Sequence, residues 1–121
     1  MARILVADDE ESVLSFVTRA LEAHGHEAEG VADGAQALEA LARDRFDLLL
    51  TDIVMPIMDG IALALKASRD YPDLRILMMT GFAEQKKRAY NLDTLIHDVI
   101  SKPFNLEQIT AAVDAALAAD T

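Results

Sequence analysis

The sequence predicts an α/β protein in which five strands alternate with five helices in a doubly wound, five-stranded parallel sheet. Short apolar runs without polar alternation recur along the chain, as is typical of strands buried on both faces. Segments with helical apolar spacing separate these runs. The length of 121 residues suits one domain with one core and leaves no room for a separate output module, so we expect residues 1–121 to form a single domain.

Composition narrows the functional classes. With 52% hydrophobic and 26% charged residues, the chain is ordinary for a soluble globular protein, and its net charge of −10 argues against nonspecific nucleic-acid binding. That charge fits a cation site or a basic protein partner. The absence of cysteine excludes disulfides, thiolate zinc sites and cysteine nucleophiles. The apolar runs are too short to span a bilayer or to form a signal peptide, so we expect a cytoplasmic protein without membrane contact.

The first half of the chain predicts two strand–helix units. "RILVA" (3–7) is a buried strand that ends in acids, and the helix after it extends from Glu10 to His24, ending at Gly25. Its apolar residues at helical spacing are Val13, Phe16, Val17, Ala20 and Leu21. "HEAEGV" (26–31) is a weaker second strand. The second helix spans 32–44, with Asp33 as its cap and with Ala35, Leu38 and Leu41 inward.

The second half predicts three more units. "FDLLLTD" (46–52) is the clearest strand, and Pro56, Asp59 and Gly60 mark the loop after it. The third helix ends before Pro72 and is marked by Ile61, Ala64 and Leu65. Strands at 74–80 and 96–101 flank a helix at 83–92. A last helix spans 105–119 with Leu106, Ile109, Val113 and Leu117 inward, and residues 118–121 are expected to fray.

Polar residues follow four of the five predicted strands. Asp8 and Asp9 come after the first strand, Asp52 ends the third, Thr80 ends the fourth and Lys102 follows the fifth. Ligands of open α/β sheets bind outside the carboxyl ends of the strands, so we expect these side chains to converge at one edge.

Three neighbouring carboxylates repel one another, which a raised pKa or a bound cation relieves. Oxygen ligands of high charge favour Mg²⁺, which also binds phosphate oxygens. Lys102 adds a cation suited to a phosphoryl group, and Thr80 adds a small hydrogen-bond donor. This set predicts phosphoryl transfer onto Asp52 with formation of an acyl phosphate.

Four motifs, "LVADDE", "LLLTDIVMPIMDG", "ILMMTG" and "SKPF", occur in the order and spacing of the response-regulator receiver domain, the CheY-like family, which the whole chain resembles. The resemblance implies a flavodoxin-like strand order 2-1-3-4-5. It also implies the following roles: Asp52 as phospho-acceptor and metal ligand, Asp9 as direct Mg²⁺ ligand, Asp8 as ligand through water, the Val54 carbonyl as a further ligand, Lys102 as partner of the phosphoryl group and Thr80 as the switch hydroxyl. The implied phosphoryl donor is a histidine kinase or a histidine phosphotransfer protein, and the implied effector is another protein.

One position departs from the family pattern. Many receivers carry Tyr or Phe three residues before the lysine, where this chain has Val99. Valine has no ring to move with Thr80, so we expect the output change to involve the loop after Thr80 and the 83–92 helix. "TDIVMPIMDG", "TGFAE" and the valine before "ISKPF" most resemble CpdR-type regulators, which prime the ClpXP protease when unphosphorylated and so imply a ClpX-type unfoldase as effector.

Two other functions stay open, and several residues are given structural interpretations. The protein could be a relay intermediate without its own effector, or a Mg²⁺-dependent phosphatase, although Val54 stands where such an enzyme needs an acid. We interpret Asp59 and Gly60 as turn residues and Lys86–Arg88 as a solvated helix face. His24, His26 and His97 show no ligand-like spacing, and we predict no metal ligand among them.

Overall fold

The structure of the protein is a computed structural model that describes residues 1–119; the final two residues, part of the predicted frayed end, lie outside the described residues. The elements, in chain order, are β1 (Arg3–Ala7), α1 (Glu11–Ala23), β2 (Glu27–Val31), α2 (Gly34–Arg43), β3 (Leu48–Asp52), α3 (Gly60–Asp70), β4 (Arg75–Thr80), α4 (Ala83–Tyr90), β5 (Asp98–Ser101) and α5 (Leu106–Ala118).

The five strands form one parallel sheet in the order β2-β1-β3-β4-β5, which confirms the predicted α/β fold class and strand order. Strand β3 lies at the centre, paired with β1 on one side and β4 on the other. All five of its residues are buried, because both faces of the sheet are covered by helices.

Side chains alternate between two hydrophobic cores, one on each face of the sheet. Leu5, Leu49 and Met78 belong to the core that lies under α2, α3 and α4. Val6 and Leu50 belong to the opposite core, which α1 and α5 cover. The apolar strands therefore contribute side chains to both cores, and polar residues are found at the strand ends.

The helices bury most of the face that their apolar spacing indicated, but not all of it. Leu106, predicted to face inward, is 52% exposed, and Phe16 and Leu65, which belong to the predicted apolar spacing, are 42% and 47% exposed. Small residues are buried on the same three helices: Ala20, Ala67 and Ala116. On α2 the buried residues likewise include Ala37 and Ala40, whereas Ala35 and Leu38 are half-buried. Alanine lets a helix approach the sheet closely, so small residues share the buried face with predicted residues such as Val17, Ile109 and Val113.

One helix and one strand in the C-terminal half are shorter than predicted. The helix expected over 83–92 ends at Tyr90, and the strand expected over 96–101 begins at Asp98. Turns occupy 91–95 between them. Among the described residues, no helix combines the length and the apolar character needed to cross a membrane.

Candidate functional site

The carboxyl ends of β1 and β3 bring together the three acids predicted to share a site. Asp8, Asp9 and Asp52 each place a carboxylate oxygen within 4.8 Å of the others. Asp8 is fully buried and Asp52 is 7% exposed, whereas Asp9 faces solvent. Asp8 and Asp52 are therefore shielded from solvent, whereas Asp9 is accessible to it.

Asp52 is held by the loop that follows it. Its Oδ1 accepts a hydrogen bond from the Ile53 amide at 3.0 Å. The Gly60 amide donates to the Ile53 carbonyl at 2.7 Å, which folds the start of α3 back onto the end of β3. A Cβ atom at position 60 would collide with the Asp52 carbonyl oxygen. Gly60 is therefore more than the turn residue that the sequence indicated, because its lack of a side chain makes room for the Asp52 backbone.

Lys102 reaches the acidic cluster from the loop after β5. Its Nζ donates to Asp8 Oδ2 at 2.7 Å and lies 3.5 Å from Asp52 Oδ1. The other oxygen of Asp8 accepts from the Glu10 amide at 2.9 Å. The Lys102 ammonium group therefore lies between the buried carboxylates of Asp8 and Asp52.

The local electrostatics disturb two pKa values. Burial, and then the negative charge of Asp8, raise the pKa of Asp52 to about 6, against the opposing effect of Lys102. Burial works to lower the pKa of Lys102, but the hydrogen bond to Asp8 and the charges of Asp52 and Asp8 outweigh it and leave that pKa raised. The ammonium is therefore fixed in its charged form, while Asp52 lacks enough positive charge nearby.

Thr80 ends β4 beside this cluster and is 2% exposed. Its Oγ1 accepts a hydrogen bond from the Phe82 amide at 3.2 Å, which leaves the hydroxyl proton available for another acceptor. The Thr80 carbonyl accepts from the Lys102 amide at 2.8 Å, so the ends of β4 and β5 are linked. The Lys102–Pro103 peptide bond that follows is cis.

An open cleft of about 690 Å³ leads to Asp52, Asp9 and Lys102. Its rim carries Val54, 45% exposed, where a Mg²⁺-dependent phosphatase would need an acid. The cleft is also lined by the apolar rings of Phe16, Phe82 and Phe104. The rings of Phe16 and Phe104 lie 6.4 Å apart between centroids. Helical spacing had placed Phe16 among the apolar residues of its helix without indicating this cleft.

The side chains at this edge fit a hard divalent cation. All three clustered acids offer oxygen, and no histidine or cysteine of the described residues joins them, a set typical of Mg²⁺. Burial, and then the charge of Asp8, disfavour the ionised form of Asp52 even with Lys102 in place. A cation would favour that form, and the exposed side of Asp9 leaves space for water ligands.

Helix α4 lies beside the cleft and makes polar contacts with β5 and with the N-cap of α3. Lys86 Nζ donates to Ser101 Oγ at 3.0 Å, and Arg88 Nη2 lies 3.8 Å from Asp59 Oδ2. Lys86 and Arg88 therefore make contacts across elements, beyond the solvated face that was predicted. Val99, in β5, is 4% exposed and belongs to the core.

Comparisons with known proteins agree with this geometry. The model of the response regulator receiver domain matches residues 4–114. The response regulator receiver protein CpdR of Brucella abortus is 41% identical over 119 residues, which cover 98% of this chain and 99% of that protein. The chemotaxis response regulator CheY4 of Vibrio cholerae superimposes with a TM-score of 0.88 at 30% identity, over 97% of this chain and 99% of that one.

A further neighbour is a response regulator that was crystallised as a complex. The protein TrrA from Thermotoga maritima, in complex with Mg²⁺-BeF, superimposes with a TM-score of 0.87 at 26% identity, over 97% of this chain and 100% of that one. The family match spans nearly the whole chain, and the fold and the strand order agree with it. The chain therefore belongs to the response-regulator receiver domain family, the CheY-like signalling domains of two-component systems.

Proposed function

We propose that this protein accepts a phosphoryl group on Asp52 from a phosphohistidine donor, and that the modification changes a surface at α4 and β5 that a protein partner reads. The observation that carries the proposal is the arrangement around Asp52: a carboxylate at the base of an open cleft, 3.5 Å from the Lys102 ammonium and clustered with two further acids. Receiver domains receive phosphate from histidine kinases or phosphotransfer proteins, and partner switching is general in the family.

In the proposed reaction an Asp52 carboxylate oxygen attacks the phosphorus of a phosphoimidazole. A P–O bond to Asp52 forms, the P–N bond breaks, and the leaving imidazole nitrogen takes a proton from solvent. Asp52 is held in place for this by the Ile53 amide and by the close approach of Gly60. Lys102 would turn from Asp8 and Asp52 toward the new phosphoryl oxygens, which carry more charge.

Receiver domains bind Mg²⁺ at the phosphorylation site, and the donor set here fits that ion. We assign Asp9 and Asp52 as direct ligands, Asp8 as a ligand through water and the Val54 carbonyl as a further ligand. When bound, the ion supplies positive charge that offsets the developing charge on the phosphoryl oxygens.

Thr80 is the proposed link between the acyl phosphate and the output surface. Its hydroxyl has a free proton, and moving toward a phosphoryl oxygen would break its contact with the Phe82 amide. Phe82 directly precedes α4, so the movement of Thr80 would alter the start of that helix. Since Val99 provides no ring to follow Thr80, α4 itself is the element expected to shift.

Intact-mass measurement after incubation with phosphoramidate and Mg²⁺ tests the phosphorylation. We expect the wild type to gain one phosphoryl group and Asp52→Asn to gain none. Asp59→Asn is the matched control, because Asp59 caps α3 in the same loop but lies outside the cluster, and it should be modified like the wild type. Equal modification of Asp52→Asn, or none in the wild type, would refute the proposal.

The likeness to CpdR favours one effector. The 41% identity extends over nearly the full length of both chains, so we propose that a ClpX-type unfoldase binds the unphosphorylated form. Surface-immobilised ClpX should retain the wild type and Asp52→Ala alike, and should release the wild type alone when phosphoramidate and Mg²⁺ are added. Failure of both forms to bind ClpX would remove this effector and leave the phosphorylation proposal standing.

A further inference from the structure

A second cluster of ionisable side chains lies at the end of the sheet opposite the acidic cleft. His24 caps the C-terminus of α1, His26 directly precedes β2, and Asp114 lies on α5. The three residues are far apart in sequence, and spacing alone predicted no metal ligand among the histidines. In the structure the two imidazole rings lie 5.8 Å apart between centroids and both face Asp114.

We propose that His24, His26 and Asp114 form a binding site for a borderline transition-metal ion, with Zn²⁺ as the expected occupant. One nitrogen of each ring and one carboxylate oxygen lie within 4.8 Å of one another. Two imidazoles and a carboxylate are a ligand set that Zn²⁺ uses, with a water molecule in the fourth position. Mg²⁺ prefers oxygen ligands and suits the other end of the sheet.

The distances are close to those of a tetrahedral site. Metal–ligand bonds of about 2.0–2.2 Å place tetrahedral ligand atoms roughly 3.3–3.6 Å apart. His24 Nε2 lies 2.9 Å from Asp114 Oδ2 and 3.2 Å from Asp114 Oδ1, and His26 Nε2 lies 4.0 Å from Asp114 Oδ1. The His26 ring must therefore move closer to Asp114 to complete a tetrahedral set.

His26 supplies the independent indication that this cluster binds something. Its side chain is only 10% exposed, yet its Nε2 atom has no hydrogen-bond partner among the residues that the structure describes. A buried ring nitrogen without a partner is uncommon in folded proteins. His24 and Asp114 are about half exposed, which gives an ion and its water ligand access from solvent.

Metal binding through His26 Nε2 would also change the hydrogen bond that the other ring nitrogen, Nδ1, makes with the backbone. The Ala2 amide donates to Nδ1 at 3.0 Å, so a neutral ring in the metal-free protein carries its proton on Nε2. Coordination through Nε2 places that proton on Nδ1, which then has no lone pair for the Ala2 amide. Metal binding must release this contact at the start of the chain, and the loss of one hydrogen bond should weaken affinity by about tenfold.

Titration of the untagged, full-length protein with Zn²⁺ in millimolar Mg²⁺, followed by amide NMR, tests the site. Mg²⁺ is included so that the acidic cluster does not take up Zn²⁺. We expect one equivalent to shift the amides of His24, His26 and Asp114 together with that of Ala2. His24→Gln and Asp114→Asn, both at exposed positions, should weaken binding at least tenfold.

His97→Gln is the matched control, because His97 is exposed and lies outside the cluster, and its affinity should equal that of the wild type. Absence of saturable Zn²⁺ binding, or binding that His24→Gln and Asp114→Asn leave unchanged, would overturn the assignment. Binding that spares the Ala2 amide would overturn the coordination through His26 Nε2. None of these outcomes depends on phosphorylation of Asp52.

Discussion

Strand β3 and helix α4 are held in the fold in different ways. Strand β3 is paired on both sides, and all five of its residues are buried. Helix α4 has eight residues, of which Ala89 alone is buried, and polar contacts such as Lys86 to Ser101 connect it to β5. Unfolding β3 would expose both hydrophobic cores, whereas displacing α4 would uncover only part of one of them.

This contrast matches what phosphoryl signalling requires of a small domain. An acceptor carboxylate must keep its position to within a fraction of an ångström, so it belongs on a rigid central strand. A surface that responds to one added phosphoryl group must have two arrangements of similar free energy, so it belongs on a weakly packed element. Substitutions in the two regions test this division, beginning with the largest expected effect.

Gly60→Ala should lower the free energy of unfolding by about 3 kcal/mol, because the added methyl group collides with the Asp52 backbone carbonyl. Gly81→Ala is the matched substitution on the loop before α4, where the nearest atom to a new Cβ is 3.9 Å away, and it should cost less than about 0.5 kcal/mol. Urea unfolding measures both. Equal losses would break the contrast between a rigid β3 and a tolerant α4 region.

Lys102→Met should lower the free energy of unfolding by about 2 kcal/mol at neutral pH, because Asp8 is fully buried and would lose its charged partner. Adding Asp8→Asn should restore part of that loss. Lys87→Met, at an exposed position on α4, should stay within about 0.5 kcal/mol of the wild type. The account of the buried pair fails if Lys102→Met is as mild as Lys87→Met in the same urea experiment.

Asp52→Asn should raise the free energy of unfolding by about 1 kcal/mol at pH 7.5 without Mg²⁺, after allowance for solvent screening. The pKa of Asp52 rises from 3.8 to about 6 on folding, so its ionisation disfavours the folded state increasingly as pH increases through that range. The advantage of the variant should disappear below pH 3.8, where both states are protonated, and shrink in millimolar Mg²⁺. Thermal melts across pH measure it.

Asp59→Asn is the control for that measurement and should not share the stabilisation, because Asp59 is a cap whose side chain accepts from the Ala62 amide. A destabilised Asp52→Asn variant would mean that the charge of Asp52 is compensated in the metal-free protein.

Lys86→Met should have the smallest global effect, within about 0.5 kcal/mol, since its hydrogen bond to Ser101 is exposed. Native-state hydrogen exchange of the α4 amides should nevertheless become faster, because that bond ties the helix to β5. Lys66→Met, at an exposed position on α3, is the control and should leave the exchange of α4 unchanged. Unchanged α4 exchange in Lys86→Met would show that other contacts hold the helix.

The sequence predicted the parts of the molecule that follow from strand ends and periodicity. Apolar runs indicated the parallel sheet, and the rule that ligands bind at the carboxyl ends of strands correctly grouped Asp8, Asp9 and Asp52. The same rule placed Lys102, which follows the fifth strand, beside these acids, and its Nζ lies 3.5 Å from Asp52 Oδ1.

Features that depend on close approach between distant elements were missed. The His24, His26 and Asp114 cluster joins a helix end, a loop and another helix, and no local pattern reports such a meeting. Phe16 belongs to the predicted apolar spacing of α1 but is 42% exposed, because periodicity identifies an apolar face without saying how near a neighbouring backbone can come. Gly60 looked like turn chemistry for the same reason.

Hydrogen exchange with and without Mg²⁺ and beryllofluoride, a phosphoryl mimic, tests the central claim most directly. We predict that exchange changes in the loop after Thr80 and in α4, that the interior amides of β1 and β3 keep their protection, and that Asp52→Asn shows neither response. A change confined to β3, no change in α4, or the same response in Asp52→Asn would contradict the account.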